Sequence, residues 1–219
     1  KAAFNTSQVS FLTKTDGTLW VVGNNSQGQL GLNDLINYSS PVQIPGTQWK
    51  DIGPTRDCVS YVKTDGTVWF VGQNSGYNAG QAGQNDQVPR SSPVQISGTS
   101  WKQSMGGWGT MFATKTEGTL WAWGQPTKLG AYYGMLGLND NTLRLSPTQL
   151  PGTQWVEVKS MAYDTFALKD NGTLWAWGRN ADGQLGQNNR ISYSSPVQIS
   201  GTDWEVTHFE ASRQGIYIT

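Results

Sequence analysis

Few side chains in this sequence could carry out chemistry, and their number limits what the chain can do. There is one cysteine, Cys58, and one histidine, His208, which excludes a cysteine-based zinc site, a multi-histidine metal centre and most histidine-dependent catalytic sets. No histidine lies near Cys58 in the sequence, and the run after it is typical of a strand, which favours a buried, inert thiol. The carboxylates are too scattered to nominate an acid–base pair. The sequence therefore predicts a protein that is not an enzyme, with no catalytic residues, metal site or cofactor.

Carboxylates that recur at one position are the best candidates for metal ligands. Asp34, Asp86 and Asp140 each follow a Gly-x-x-Gly motif, and Asn189 lies near the equivalent place in a fourth copy. Calcium loops carry a denser Asp-x-Asp-x-Asp-Gly pattern, which this sequence lacks. The pattern therefore favours turn capping over calcium binding.

The charge balance restricts the partners. Lysine plus arginine and aspartate plus glutamate each number 15, and only 14% of residues are charged. Because a phosphate-binding surface needs a basic excess, we expect no nucleic-acid partner. No apolar run approaches the roughly 20 residues of a membrane span. The chain begins at Lys1 rather than methionine, so we expect a processed product or a piece of a longer protein.

Four motifs recur in the same order, four times each. Gly-Thr-(Leu/Val)-Trp-x-x-Gly begins at Gly17, Gly66, Gly118 and Gly172, with spacings of 49, 52 and 54 residues. Gly-x-x-Gly, Ser-Pro-x-Gln-(Ile/Leu) and Gly-Thr-x-Trp follow it each time, and of the 11 tryptophans only Trp108 lies off the repeat. The repeats predict a single domain over residues 1–219. Its repeats span about 1–49, 50–101, 102–155 and 156–204, with a half-repeat at 205–219.

Each repeat has the pattern of four short antiparallel strands. In the fourth, residues 165–169 and 173–177 flank an Asp-Asn-Gly sequence, and Asn-Gly is a strong hairpin signal. The Ser-Pro motif predicts a strand that starts at its proline, and the segment after Gly-Thr-x-Trp predicts another. Four strands in about 50 residues, without helical periodicity, indicate an all-β fold built of β-propeller-type blades.

These motifs resemble the repeat of the regulator of chromosome condensation family. The match is fullest at residues 171–186, Asn-Gly-Thr-Leu-Trp-Ala-Trp-Gly-Arg-Asn-Ala-Asp-Gly-Gln-Leu-Gly, whereas repeats two and three depart in the loop around Gly-x-x-Gly. The resemblance covers essentially the whole chain and implies a propeller of four-stranded blades, seven in the best-known members. Because this chain holds four full repeats and a half-repeat, we expect part of a larger or otherwise completed ring. The Tyr-Ser-Ser-Pro-Val-Gln-Ile segments at 38–44 and 193–199 look like the bacterial and phage branch.

One tryptophan stripe and one glycine pair per repeat could suggest ligand sites. The stripe comprises Trp20, Trp69, Trp121 and Trp175. A stacking surface for a ligand is one interpretation, but its period matches the blade, so packing in the core between blades is predicted. The Gly-x-x-Gly pairs lack the following helix and lysine of a phosphate loop, which predicts tight turns instead.

All variation in repeat length lies in one loop. From the glycine ending the tryptophan motif to the one closing Gly-x-x-Gly, the count is 8 residues in repeats one and four, 11 in two and 13 in three. The insertions lie at one point of adjacent repeats, so we expect them on one face. The candidate binding residues there are Tyr77, Asn78, Lys128, Tyr132 and Tyr133. Tyrosine and asparagine suit recognition surfaces, although a merely tolerated insertion remains the alternative.

Two hypotheses for the function follow. The first is a non-enzymatic interaction or structural module of an extracellular or virion surface, of tail or fibre type. It would contact protein subunits or surface glycan and could assemble with further repeats or subunits. The alternative, implied by the resemblance, is a cytoplasmic regulator that exchanges guanine nucleotide on a small GTPase. That activity would go with seven blades and a basic tail, which this chain does not show.

Overall fold

A computed structural model describes residues 2–4, 9–55, 57–126, 134–160, 162–204, 209–212 and 215–218 of the chain. These residues form four antiparallel sheets of four strands and one sheet of two strands, each built from strands consecutive in the sequence. The helical content of this described part is a single 3-10 turn at Gly76–Asn78. The predicted all-β fold of four-stranded blades is therefore confirmed.

The strands are numbered in chain order. Blade one contains β1 (Ala2–Phe4), β2 (Val9–Thr13), β3 (Leu19–Gly23) and β4 (Tyr38–Gln43). Blade two contains β5 (Trp49–Pro54), β6 (Cys58–Lys63), β7 (Val68–Gly72) and β8 (Arg90–Ile96). Blade three contains β9 (Trp101–Gly106), β10 (Thr110–Lys115), β11 (Leu120–Gly124) and β12 (Arg144–Gln149). Blade four contains β13 (Trp155–Ser160), β14 (Asp164–Lys169), β15 (Leu174–Gly178) and β16 (Tyr193–Gln198); β17 (Phe209–Ser212) and β18 (Gly215–Ile218) follow.

The Asp-Gly-Thr-x-Trp sequence forms the hairpin between the second and third strands and positions an indole. In blade two, Gly66 has a φ of 78°, and Asp65 Oδ1 accepts hydrogen bonds from the backbone N–H and hydroxyl of Thr67 at 2.9 and 2.7 Å. Thr67 Oγ1 accepts a hydrogen bond from Trp69 Nε1 at 2.9 Å. The Thr67 bonds hold the pKa of the Asp65 carboxyl below its usual value. The motif is therefore a chain of hydrogen bonds that fixes the orientation of a tryptophan ring.

The outer strand of each blade begins earlier than the sequence predicts. β4 starts at Tyr38, so Pro41 lies inside the strand, not at its start as predicted. The register of β3 and β4 shifts between the Val21–Val42 pair and the Gly23–Tyr38 pair, which places Pro41 in an irregular part of an edge strand. The missing N–H of a proline is tolerated there because an edge or bulge leaves it outside the hydrogen-bond ladder. The same shift occurs in the other three blades.

The hydrophobic core is divided into layers between successive blades. Phe11 of blade one packs with Tyr61 of blade two, and Phe112 of blade three with Trp177 of blade four. The tryptophan stripe predicted for this core is only half-buried in each blade, and Trp69, Trp121 and Trp175 pack against the edges of the layers, so the prediction was too strong. The fully buried indoles are instead those of Trp123 and Trp177, which donate hydrogen bonds to backbone carbonyls in the preceding blade.

The Gly-x-x-Gly motif makes the predicted tight turn and also links blades. Gly28 has a φ of 76°, and a Cβ on it would lie 2.8 Å from Cα of Ser91 in the next blade, so a larger residue would push the blades apart. The backbone N–H of Asn33 donates to Ser91 O at 2.7 Å. Asp34 Oδ1 accepts hydrogen bonds from the Ile36 N–H and from Asn25 Nδ2 at 3.0 and 2.7 Å. The predicted capping role of the recurring carboxylate is confirmed.

Candidate binding face

The loop whose length varies between repeats begins on the same side of every blade. In an antiparallel blade, the turn between strands one and two and the connection between strands three and four emerge on the same side. Backbone hydrogen bonds join the two: Gln73 N donates to Asp57 O, and Gln125 N to Gly109 O. We call this side the loop face; it is defined by residues 55, 57, 73–79, 107–109 and 162–164 and by the start of the connection after β15.

The insertion in repeat two forms the 3-10 turn at Gly76–Asn78 and displays an aromatic side chain. Tyr77 is 51% exposed. Its carbonyl oxygen lies against Gly109 of blade three so closely that a Cβ at Gly109 would overlap it, and Gly109 has a φ of 87°. The turn therefore packs against blade three, and position 109 must be a glycine.

A stacked aromatic pair bridges blades three and four on the same face. The rings of Trp108 and Tyr163 lie with centroids 5.1 Å apart and planes at 28°, and both side chains are half-buried. The backbone N–H of Trp108 donates a hydrogen bond to Ala162 O at 3.2 Å, which holds the two loops together. Sequence reasoning nominated neither residue for binding. The available signal was that Trp108 alone departs from the tryptophan repeat.

The predicted binding residues divide into three groups in the structure. Tyr77 lies exposed on the loop face next to the loop that carries Trp108. Asn78 is 5% exposed, and its Nδ2 donates a hydrogen bond to Asp57 Oδ2 at 3.4 Å. Its side chain therefore holds the turn against the loop that carries Asp57. Lys128, Tyr132 and Tyr133 belong to the insertion in repeat three and lie outside the described residues.

The loop face carries charges of both signs beside the aromatic pair. Burial raises the pKa of the Asp164 carboxyl, and the nearby Arg179 guanidinium opposes that rise. Arg179 Nη1 also donates to Asp182 Oδ2 at 2.8 Å. A half-buried aromatic stack flanked by charges of both signs suits contact with another molecule better than steering of a highly charged one.

Cys58, the one thiol, is placed as the sequence predicts. Its side chain is fully buried, and burial raises its pKa to about 12. Sγ donates a hydrogen bond to Gln81 Oε1 at 3.1 Å and lies 2.8 Å from Thr55 Oγ1. The thiolate form that a nucleophile or metal ligand requires is therefore disfavoured.

Potential metal ligands are dispersed in the described part of the chain. Within it, no three histidine, cysteine, aspartate or glutamate side chains are grouped closely enough to hold a metal ion. None of its helical segments has the length and apolar character needed to cross a membrane.

Comparison with known proteins supports the family that the motifs resemble. The family model of the regulator of chromosome condensation (RCC1) repeat matches residues 16–52 and 171–215, which begin in repeats one and four and extend into the segments that follow them. The chain is 26% identical to the ultraviolet-B receptor UVR8 of Arabidopsis thaliana over 177 residues, 78% of this chain and 39% of the receptor. It is 36% identical over 93 residues to the human E3 ubiquitin-protein ligase HERC2, which covers 40% of this chain and 2% of the ligase.

Solved structures share the arrangement of blades. Human WBSCR16 superposes with a TM-score of 0.78 at 22% identity, covering 92% of this chain and 52% of WBSCR16. Prp20p of Saccharomyces cerevisiae superposes with a TM-score of 0.71 at 17% identity, covering 89% of this chain and 49% of that chain. This chain therefore spans about half the length of these solved propellers, and a smaller share of the curated relatives.

Proposed function

We propose that this chain is a β-propeller interaction module whose loop face binds a protein partner. The observation that carries the proposal is the aromatic set of Tyr77, Trp108 and Tyr163, supplied by three successive blades and held by inter-blade contacts. Tyrosine, tryptophan and arginine are the residue types that dominate binding energy in protein interfaces, and Arg179 lies beside the stack.

The loops that carry the aromatic set are held in place by contacts between blades, which supports this role. The Gly109 contact and the Trp108–Ala162 hydrogen bond order the loops before a partner arrives, so less conformational entropy is lost on binding. The solved structure of Prp20p is described with its binding to Gsp1p and histones, so a propeller of similar fold also serves as a binding platform. The low charge and many uncharged polar residues suit a module exposed on a cell or virion surface, which we propose as its setting.

A three-residue deletion tests the proposal. Removing Gly76–Asn78 shortens the repeat-two loop to the length found in repeats one and four. Two blades of this chain therefore already contain a loop of that length. Partners retained by the immobilised wild-type chain are compared with those retained by this deletion variant, by Trp108→Ala and by Lys50→Ala, a control exposed at the start of β5. We expect one protein to be kept by wild type and Lys50→Ala and lost from both other variants. Equal retention by all four would overturn the proposal.

Nucleotide exchange on a small GTPase is the second candidate function. The RCC1 repeat matches at residues 16–52 and 171–215 are the observation that favours it. Release of labelled guanine nucleotide from a panel of small GTPases, with and without the chain, tests this activity. Acceleration that Trp108→Ala abolishes would replace the binding-module proposal with an exchange factor that uses the same face.

A further inference from the structure

The side of the blades opposite the loop face carries lysines held between two indoles. In blade two, Lys63 Nζ lies 4.6 Å from the ring centroid of Trp49 and 4.8 Å from that of Trp69. The two indoles meet edge to face with centroids 6.4 Å apart. Because the hairpin motif already orients Trp69, the ammonium and both rings are positioned before any ligand binds.

These three side chains line a groove between blades one and two. The groove is open to solvent and has a volume of about 380 Å³, and Leu32, Pro45 and Pro93 supply its apolar walls. That volume lies in the range of small-molecule sites and is large enough for a sugar residue. We call it groove one.

The Lys63 ammonium is available to a ligand. No described carboxylate lies within ion-pair distance of it; Asp65, two residues on, interacts with its charge from farther away, and the faces of the two indoles lie against it. Gly46 lies next to the ammonium: a Cβ there would be in van der Waals contact, at 3.6 Å, with both Lys63 Nζ and Trp49 Cζ2. A cation beside aromatic faces is complementary to a ligand that combines a carboxylate with a flat apolar surface.

The repeats reproduce this site once and alter it once. The groove between blades three and four, groove three, has Leu138, Pro151, Trp155, Lys169 and Trp175 at the equivalent positions. Lys169 Nζ lies 4.6 and 5.0 Å from its two ring centroids, and no described carboxylate pairs with it.

Groove two, between blades two and three, keeps the indoles but changes the other walls. Gln84 and Ser97 replace the leucine and the proline, and Gln84 Nε2 donates to Gln95 O at 2.8 Å. Its lysine, Lys115, lies 4.8 Å from both rings but forms an ion pair with Glu117 at 3.9 Å. The repeat thus provides two grooves with an open cation and one in which the cation is already paired.

We propose that grooves one and three bind a sugar that carries a carboxylate, such as a uronic or sialic acid. The carboxylate pairs with the lysine ammonium, and an apolar face of the sugar ring packs against the leucine and proline walls of the groove, which in groove one are Leu32 and Pro45. The site lies on the side away from the loop face, so it does not depend on the protein-binding proposal.

Calorimetric titration of the full chain with glucuronic acid and N-acetylneuraminic acid tests the proposal. We expect two sites per chain for at least one of the two acids, with glucose and acetate each binding about tenfold more weakly. Lys63→Gln together with Lys169→Gln should lower affinity about tenfold or more. Lys115→Gln is the matched control, because it removes the same contacts with two indoles, and it should bind as the wild type does.

A second variant keeps the test decisive if the lysine changes disturb folding. Leu32→Gln with Pro45→Ser gives groove one the walls of groove two, which the repeat already accommodates, and should remove one of the two sites. Thermal unfolding of each variant confirms that the fold is intact. Failure of both acids to bind, equal binding of glucose or acetate, or an equal loss in Lys115→Gln would overturn the proposal.

Discussion

The tryptophans of a blade lie in two environments, one fully buried and one half-buried. Trp177 is fully buried between blades three and four, whereas Trp175, two residues earlier, is half-buried beside Lys169. We expect Trp177→Ala to cost about 3–5 kcal/mol through cavity formation. Trp175→Ala should cost about 1–2 kcal/mol, because less apolar area is lost. Urea denaturation of both variants measures the difference; equal costs would mean that the indoles share one environment.

The Cys58 thiol should not react with thiol reagents in the folded protein. Its pKa is raised to about 12 by burial, so the thiolate that attacks a disulfide reagent is scarce at pH 8 and also inaccessible. Ellman's reagent should therefore react with the thiol only after denaturation, with one equivalent released per chain. Rapid reaction of the native chain would show that blade two opens readily around β6.

At the residue scale, the sequence predicts what repeats and misses what does not. The hairpin turns, the inert thiol and the capping aspartates follow from local motifs, because each is satisfied by neighbours within its own repeat. The Trp108–Tyr163 stack joins residues 55 positions apart in different blades, and no local pattern encodes that contact. The half-burial of Trp69 was missed for another reason: its contact with Lys63 lies within one repeat, but the period of the tryptophan does not distinguish a buried indole from one beside a groove.

The connection between the third and fourth strands should make a pH-dependent contribution to the free energy of unfolding. In blade two the N–H of Val88 and the guanidinium of Arg90 hold the pKa of Asp86 below its usual value. A lowered pKa in the folded state adds stability above the unfolded value near 3.8, and that contribution is lost as the pH falls through the folded value. Asp86→Asn keeps the side-chain oxygen acceptor but not the titration.

We therefore expect Asp86→Asn to be less stable than the wild type at neutral pH and to lose less stability on acidification below pH 4. Urea denaturation at pH values between 2 and 7 measures both. Repeat four, with Asn189 at this position, shows that an asparagine is accommodated, since its Oδ1 accepts the Ile191 N–H at 2.8 Å. Parallel pH profiles for variant and wild type would contradict the assigned role.

The inserted 3-10 turn should be separable from the fold of its blade. Ala82 N donates to Asn74 Oδ1, the same bond that Leu30 and Leu185 make to Asn25 and Asn180 in the shorter loops. Deleting Gly76–Asn78 leaves both partners of that bond in place, so we expect thermal unfolding within a few degrees of the wild type. A large drop in unfolding temperature would mean that the Tyr77–Gly109 contact supports the blade interface.

The limits of sequence prediction for elements are illustrated by the outer strands. Proline predicts a strand start because it cannot donate to a ladder, yet β4 begins three residues before Pro41. The sequence does not reveal that the shift in register between β3 and β4 already leaves that position outside the ladder. Strand existence and order follow from motifs, but strand ends depend on pairing that only the folded blade defines.

For the whole molecule, stability should come from the layers between blades and not from any blade alone. Leu12 in β2 and Tyr61 in β6 occupy equivalent places, opposite Trp20 and Trp69. Tyr61 is fully buried by blade one, whereas Leu12 is 36% exposed. Blade two is thus covered on both faces and blade one on one face within the described part of the chain, which makes the end of the stack the weaker place.

Hydrogen exchange should reveal that asymmetry. A blade covered on both sides opens only when two layers are broken, whereas blade one opens at the cost of a single layer. We expect the amides of β6, β7, β10 and β11 to exchange most slowly and those of β2 and β3 at least about tenfold faster, in a mass-spectrometric exchange series on the intact chain. Lowering the chain concentration should leave that ratio unchanged if blade one is uncovered in solution. Equal protection of β2 and β6 would show that another surface covers the Leu12 face, and a protection that falls on dilution would identify that surface as a second copy of the chain.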